Sequence, residues 1–187
     1  MNISVYYGAE KAIARSLYTY AKTISAWTME AAQRKEPVLP QKPEIILEQL
    51  ENGLSVLLLD GVMPVGFLTT YHLGMAGNNT WWEVGTGIVP PKYRGHGLGH
   101  ILYRRIALMH PHNILICTTK NPVSLHLSLE AGFSLESYNV IPLDIRVNLC
   151  YTVSCFVPNG DPHTCASEHN LGGPCSARVR WALTRIC

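Results

Sequence analysis

VPPKYRGHGLGH, residues 89–100, is the stretch from which the fold can be argued, because it joins a predicted strand to a predicted helix. The run before it (79–89) is rich in β-formers, and apolar side chains after it (97–110) recur at a spacing of three and four residues. The N-terminus of a helix leaves backbone N–H groups unpaired and attracts phosphate, and glycines let the backbone approach such a ligand. The stretch is therefore predicted to be a phosphate-binding turn.

Three phosphate-binding patterns can be compared with this turn. A Walker loop is excluded because no Gly-Lys-Ser/Thr follows at the required spacing. A dinucleotide fingerprint is excluded because the glycines stand at positions 95, 97 and 99 and the next predicted strand ends without an acidic residue. The third pattern, R-x-x-G-x-G, is satisfied by Arg94, Gly97 and Gly99.

On these residues the sequence resembles the GNAT family of acetyl-CoA-dependent N-acetyltransferases. The family's central motif is matched by Val89, Pro91, Tyr93, Arg94, Gly95, Gly97 and Gly99. Its next motif is similar to the predicted helix that begins at Asn121 and ends at Gly132-Phe133. The resemblance covers about residues 1–155 and implies an α/β (α+β) fold, with a mixed, mostly antiparallel sheet and helices on both faces.

The resemblance also implies a site for acetyl-CoA as the acetyl donor. Its pyrophosphate would lie on the amides of Arg94, Gly95, His96, Gly97, Leu98 and Gly99. The pantetheine arm would pair with the main chain at Ile88 and Val89, where an amide would polarise the thioester carbonyl. Asn121 would contact the arm, although Asn-Pro is also simply a good helix start, and both interpretations stay open. No catalytic metal is implied.

Acetyl transfer to an amine needs a base, because a primary amine with a pKa of about 10.4 is almost fully protonated at neutral pH. Glu83 is the candidate: it lies six residues before Val89, where many family members carry a glutamate, and Trp82 and Val84 flank it. The alternative is that Glu83 points to solvent on the other face of the strand.

The general acid is the point at which the sequence departs from the family. Many members carry a tyrosine seven residues after the motif asparagine to protonate the leaving thiolate, and here that position is Ser128. A serine hydroxyl is a poorer acid and shorter, so it would act only through water. Tyr138, His126 or solvent could replace it.

The predicted enzyme is an N-acetyltransferase that works by direct attack. The alternative is a non-catalytic acetyl-CoA-binding or sensing module with a tail that binds zinc or a partner.

The remaining segments predict alternating strands and helices around this motif. Residues 1–7, 113–120, 133–140 and 145–157 are predicted strands, and residues 9–36, 43–53 and 122–132 are predicted helices. Asp60-Gly61 separates two further β-rich runs and predicts an antiparallel pair. A short ordered piece is predicted at 177–187.

Composition limits the partners. Only 15% of the residues are charged and the formal net charge is +2, so no clustered basic face for nucleic acid is expected. No apolar run reaches the length of a membrane span, and the first residues have no signal-peptide pattern. The expectation is a cytoplasmic protein that binds acetyl-CoA and an amine acceptor, with pairing of the late strands as a route to a homodimer.

The C-terminal stretch is cysteine-rich. Five of the six cysteines, Cys150, Cys155, Cys165, Cys175 and Cys187, lie there. A zinc site could be supplied by Cys155, His163, Cys165, His169 and Cys175. The spacing matches no common zinc motif, and free buried cysteines with a loose loop are the alternative. The predicted domains are residues 1–155 and a C-terminal extension at 156–187.

Overall fold

The computed structural model describes residues 1–7, 16–36, 38, 40–119, 121–136, 141, 142, 144, 145 and 148, and the backbone of residues 181–186. In these residues the elements are β1 (Ile3–Tyr7), α1 (Leu17–Gln33), α2 (Pro43–Glu51), β2 (Ser55–Asp60), β3 (Met63–Ala76), β4 (Asn79–Ile88), α3 (Leu98–Met109), β5 (Ile114–Thr119), α4 (Pro122–Glu130), β6 (Ser134–Glu136) and β7 (Trp181–Ile186). The hydrogen-bonded strand order is β1-β2-β3-β4-β5-β7-β6. The predicted fold class, a mixed and mostly antiparallel sheet with helices, is confirmed.

The chain divides into two compact units, and each is described by itself. The first unit comprises Met1–Thr70 and Val84–Met109, and the second comprises Tyr71–Glu83 and His110–Cys187. Because β3 and β4 have residues in both units, each unit is discontinuous in sequence.

In the first unit β1, β2 and the beginning of β3 are antiparallel neighbours. β1 aligns Ile3 with Asp60, and β2 aligns Asp60 with Met63 across a two-residue turn. Gly61 in this turn has a φ of 62°, a left-handed conformation that glycine adopts without strain. The predicted antiparallel pair is confirmed.

The core of the first unit lies between this sheet and the helices α1 and α2. α1 buries one face, made up of Leu17, Tyr20, Ala21, Ile24, Ser25, Thr28 and Ala31. That face packs with Ile46, Leu50, Leu57, Leu59, Phe67 and Ile88. α3 also packs closely, because a Cβ at Gly66 would lie only 3.3 Å from Leu102 Cδ1. None of the described helices is long and apolar enough to cross a membrane.

α1 ends in a Schellman motif. The amide of Lys35 donates to the Ala32 carbonyl and the amide of Glu36 to the Ala31 carbonyl, both at 2.9 Å. Lys35 takes the left-handed position, with a φ of 58°. The helix predicted to run to residue 36 therefore ends at Gln33, and Glu36 stands outside it, after the turn.

In the second unit β4 is parallel to β5, with Trp81 to Glu83 opposite Ile114 to Ile116. β7 pairs antiparallel with both β5 and β6, so the piece predicted only as ordered at 177–187 contributes a strand between them. The core of this unit contains Leu73, Trp81, Ile114, Ile116, Ile141 and Ile145.

The strand predicted at residues 145–157 is wrong at the residues that the structure describes. Ile145 and Asn148, inside the strand predicted at 145–157, have helical backbone. The prediction fails there because Ile145, with 1% of its surface exposed, is buried in the core of the second unit with a helical backbone, and packing overrides the local β preference. The strand predicted at 133–140 is confirmed over Ser134–Glu136. Residues 8–15 and 137–140, the boundary at 155–156 and the tail cysteines with His163 and His169 lie outside the described residues.

Candidate active site

In the first unit the predicted phosphate loop has a backbone that favours glycine. Gly95 has a φ of 81° and Gly97 a φ of 75°. A Cβ at either position would meet no atom within 4 Å, so the backbone conformation, and not crowding, accounts for the glycines. The preceding residues Pro91–Tyr93 form one 3-10 turn, closed by the Tyr93 amide on the Pro90 carbonyl at 2.9 Å.

The loop leads directly into α3. The Ile101 amide donates to the Gly97 carbonyl at 3.3 Å, so the amides of Leu98 and Gly99 precede this hydrogen bond at the positive end of the helix. The Leu98 side chain is buried, whereas Gly95, His96 and Gly97 are exposed. The surface offered here is therefore mainly backbone N–H groups, which is the arrangement that binds phosphate.

Arg94 is held at three points. Its amide, one of those predicted to bind pyrophosphate, donates instead to the Pro91 carbonyl at 3.2 Å. Its Nε donates to the Val89 carbonyl at 2.9 Å, and its Nη2 donates to Glu36 Oε2 at 2.7 Å. The side chain thus links the end of β4 to the segment that follows α1.

Glu36 accepts from two guanidinium groups. Its second oxygen, Oε1, accepts from Arg34 Nε at 2.8 Å. The hydrogen bond from Arg94 and then that from Arg34 lower the pKa of the Glu36 carboxyl, against a smaller opposing effect of burial. Glu36 is therefore ionised at neutral pH, although Arg94 keeps 47% and Glu36 26% of its side chain exposed.

Ile88 and Val89, the predicted pantetheine-pairing residues, differ in surroundings. Ile88 is 4% exposed and belongs to the first core. Val89 is half-buried, and its carbonyl accepts from Arg94. Because the Ile88 side chain is buried, any ligand contact at Ile88 is a main-chain contact.

In the second unit Glu83 is buried, with 8% of its surface exposed. Thr118 Oγ1 donates to Glu83 Oε1 at 3.3 Å. The side chains of Trp81 and Glu83 share one face of β4, because residues two apart in a strand point the same way. The alternative that Glu83 points to solvent is wrong, because Glu83 shares the buried face of the strand with the core residue Trp81.

The opposite face of β4 carries Trp82, whose ring contacts two imidazoles. The His72 ring meets it edge-on at a centroid distance of 4.9 Å, and the His110 ring is tilted against it at 4.6 Å. Burial lowers the pKa of His110, which is 6% exposed, because a charged imidazole would lose its hydration.

Ser128 and Asn121 both belong to α4 or its cap. Ser128 is fully buried at 0% exposure, and its Oγ has no hydrogen-bond partner among the described residues. Asn121 Oδ1 accepts from the Val123 amide at 2.9 Å, so the predicted N-cap is confirmed. His126, the alternative acid, is exposed and pairs with Glu130 at 3.2 Å. Tyr138 lies outside the described residues.

The first unit thus brings together Ile88, Val89 and the loop 94–99, while the second contains Glu83, Asn121 and Ser128. Sequence reasoning missed Glu36, Arg34 and Thr118. Glu36 lies 58 residues before its partner Arg94, and no local pattern links two such distant positions. The Glu36–Arg94 contact depends on the Schellman turn, whose left-handed residue is a lysine and not the expected glycine.

Comparison with known proteins identifies the fold and its family. The family model described as "Acetyltransferase (GNAT) family" matches residues 19–133, more than half of the chain. No curated protein matches.

Solved structures agree in fold. N-acetylglutamate synthase from Neisseria gonorrhoeae, complexed with coenzyme A and N-acetyl-glutamate, has a TM-score of 0.58 at 14% identity, covering 99% of this chain and 35% of that one. Rv2747 from Mycobacterium tuberculosis, in complex with CoA, also has 0.58 at 14%, covering 98% and 99%. A putative acetyltransferase from Salmonella typhimurium with acetyl-CoA has 0.53 at 14%, covering 73% and 82%. This chain spans about a third of the Neisseria protein.

Proposed function

Because the chain belongs to the GNAT acetyltransferase family, we propose that it transfers the acetyl group of acetyl-CoA to a primary amine. The observation that carries this proposal is the exposed loop in which Gly95 and Gly97 are left-handed and lead to the N-terminus of α3. Such a backbone suits a pyrophosphate. Three similar folds were solved with CoA or acetyl-CoA, which supports the same co-substrate here.

Each part of the proposed site has a separate task. The amides of residues 95–99 bind the pyrophosphate, and Arg94 keeps the loop in the conformation that aims them at it. The main chain at Ile88 and Val89 orients the pantetheine arm. Acetyl-CoA supplies a thioester whose carbonyl carbon the amine attacks, and an amide donor near Val89 stabilises the charge that develops on the carbonyl oxygen.

Glu83 is the proposed base. It takes one proton from the ammonium form of the acceptor, directly or through water, so that the neutral nitrogen forms the new N–C bond as the C–S bond breaks. The nitrogen gives up its second proton as the amide forms, and the thiolate of coenzyme A leaves and takes up one proton, so that the products are a neutral amide and the thiol of coenzyme A. Burial of Glu83 beside Trp81 and its hydrogen bond from Thr118 hold the carboxylate in one place for this transfer.

Calorimetric titration with acetyl-CoA tests the loop. We expect the parent protein to bind and Gly97→Glu to bind about tenfold or more weakly, because the new carboxylate repels the pyrophosphate and strains a left-handed position. Gly61→Glu is a matched control, since Gly61 has a φ of 62° with no atom within 4 Å of its Cβ position. No binding by the parent, or equal losses in both variants, would contradict the proposal.

Steady-state kinetics with thiol detection tests Glu83. Glu83→Gln keeps the shape but cannot take a proton, so we expect kcat to fall by about 100-fold while the Kd for acetyl-CoA stays unchanged. Glu136→Gln removes an exposed carboxylate of the same unit and serves as the control. Unchanged turnover in Glu83→Gln would remove Glu83 from the mechanism.

Ser128 favours a second candidate, an acetyl-CoA-binding module without turnover. A fully buried hydroxyl without a partner among the described residues is a poor proton donor to a departing thiolate. The two candidates differ in one measurement: a protein that binds acetyl-CoA but releases no thiol with any amine of a broad panel is the binding module.

A further inference from the structure

Glu36, Arg34 and Arg94 form a charged cluster on the surface of the first unit, here called the loop latch. Each oxygen of Glu36 accepts from a different guanidinium, at 2.8 Å from Arg34 Nε and 2.7 Å from Arg94 Nη2. No local sequence feature requires a carboxylate at this point. Its position depends on the Schellman turn at Lys35, which takes the chain out of α1 just before Glu36.

Arg94 passes this restraint to the loop. Its Nε donates to the Val89 carbonyl at 2.9 Å, and the same edge of the guanidinium reaches Glu36 through Nη2. A planar guanidinium with two neighbouring nitrogens engaged has little rotational freedom. The backbone of Arg94 precedes Gly95 and Gly97, the two residues with the greatest conformational freedom in the loop.

We propose that Glu36 is a positioning residue for the phosphate loop: it holds Arg94, which ties the loop to the end of β4 and so keeps the amides of residues 95–99 aimed at the anion. The inference rests on the proposed function, because the anion it concerns is the pyrophosphate of acetyl-CoA. It gives Arg94 a structural task in place of direct phosphate contact.

The competing possibility predicts the opposite change in affinity for acetyl-CoA. If Glu36 merely occupied a guanidinium intended for phosphate, its removal would strengthen binding. Two observations favour positioning: Arg94 is bound on the Val89 side as well, and Glu36 is already neutralised by Arg34.

The experiment measures the Kd for acetyl-CoA by calorimetry at about 0.15 M salt, where exposed charges are partly screened. We expect Glu36→Gln to weaken binding by about two- to five-fold, the range of an exposed ion pair. Glu30→Gln is the matched control. Glu30 pairs with Arg34 at 3.7 Å, so this substitution removes one negative charge beside Arg34 and leaves the Glu36–Arg94 pair in place. That control should bind as the parent does.

A double-mutant cycle separates positioning from a general effect on α1. In the Arg94→Gln background, Glu36→Gln should cause no further loss, because the hydrogen bond that connects Glu36 to the loop in the described structure has been removed. For the single variant Glu36→Gln we expect kcat at saturating acetyl-CoA to equal that of the parent and the KM for acetyl-CoA to rise. Unfolding temperatures of all variants verify that they remain folded.

Three outcomes overturn the inference. Equal Kd values for Glu36→Gln and the parent show that the latch does not act on the loop, and tighter binding shows that Glu36 competes with phosphate. A loss that persists in the Arg94→Gln background assigns the effect to α1. Failure of the parent protein to bind acetyl-CoA is a separate result, which overturns the proposed function and this inference with it.

Discussion

Single residues decide the protonation chemistry proposed for this protein. Glu83 is a carboxylate with 8% exposure, next to a tryptophan that belongs to the core. A buried charge needs a hydrogen-bond partner, and Thr118 Oγ1 provides one at 3.3 Å. This distance is long for a hydroxyl donor, so the bond lies toward the weak end of the roughly 1.5–3 kcal/mol typical of hydrogen bonds to charged groups. Thr118 is therefore expected to orient and stabilise the ionised form of Glu83.

Thr118→Val tests that expectation, because valine keeps the shape and removes the donor. We expect the acid limb of kcat against pH to move to higher pH, since the hydrogen bond favours the ionised carboxylate. Thr118→Ser should restore the parent profile. A profile that is unchanged in the valine variant would show that Thr118 has no influence on the titrating group.

At the scale of elements, the helix ends are defined by hydrogen bonds and backbone conformations of a few neighbouring residues. α4 begins at a complete cap: Asn121 Oδ1 accepts from the Val123 amide, and the Asn121 amide donates to Thr119 Oγ1 at 3.0 Å. α1 ends at a Schellman turn with a left-handed lysine. α3 begins after left-handed glycines. The ends described for α4 and α1 satisfy backbone groups that a helix otherwise leaves unpaired, whereas the N-terminus of α3 is the end placed to receive an anion.

Asn121 gives a prediction with two readouts. Asn121→Ala removes the cap, so we expect about 1 kcal/mol less stability and a lower unfolding temperature. Asn121→Ser retains an acceptor and should recover most of that stability. If the side-chain amide of Asn121 also contacts the pantetheine arm, both variants bind acetyl-CoA more weakly than the parent. Parent-like affinity in the serine variant would leave Asn121 a helix cap only.

At the scale of the whole molecule, acid weakens the fold through identified groups. The pKa of His110 is lowered by burial, so as pH falls below its ordinary value of 6.5 the unfolded chain takes up a proton before the native protein does. Stability present above pH 6.5 is therefore lost as pH falls toward the lower native pKa. The pKa of Glu36 is also lowered, and its contribution is lost in the same direction below its ordinary value of 4.5.

Thermal unfolding between pH 7.5 and 5.5 tests the His110 effect. One group can change stability by at most about 1.4 kcal/mol per pH unit, so we expect a moderate fall in Tm for the parent. His110→Phe keeps a ring against Trp82 and should flatten the profile. His112→Asn removes an exposed imidazole nearby and should leave the slope as it is. Parallel slopes in parent and His110→Phe would contradict this assignment.

Much of the fold and part of the candidate site are encoded locally. The β4–loop–α3 unit, the Asp60-Gly61 turn and the Asn121 cap follow from neighbouring residues, because left-handed turns and helix caps depend on the chemistry of a few consecutive positions. The sequence therefore determined the phosphate loop and the family resemblance without reference to distant contacts.

Only the tertiary structure decided how distant segments meet. The ion pair between Glu36 and Arg94, the hydrogen bond from Thr118 to Glu83 and the position of β7 between β5 and β6 all join segments that are far apart in the sequence. The tertiary structure also made Ile145 helical where a strand was predicted. The physical reason is that ion pairs, strand order and burial are settled by which surfaces pack together, and packing overrides local propensity wherever it removes more apolar surface from water.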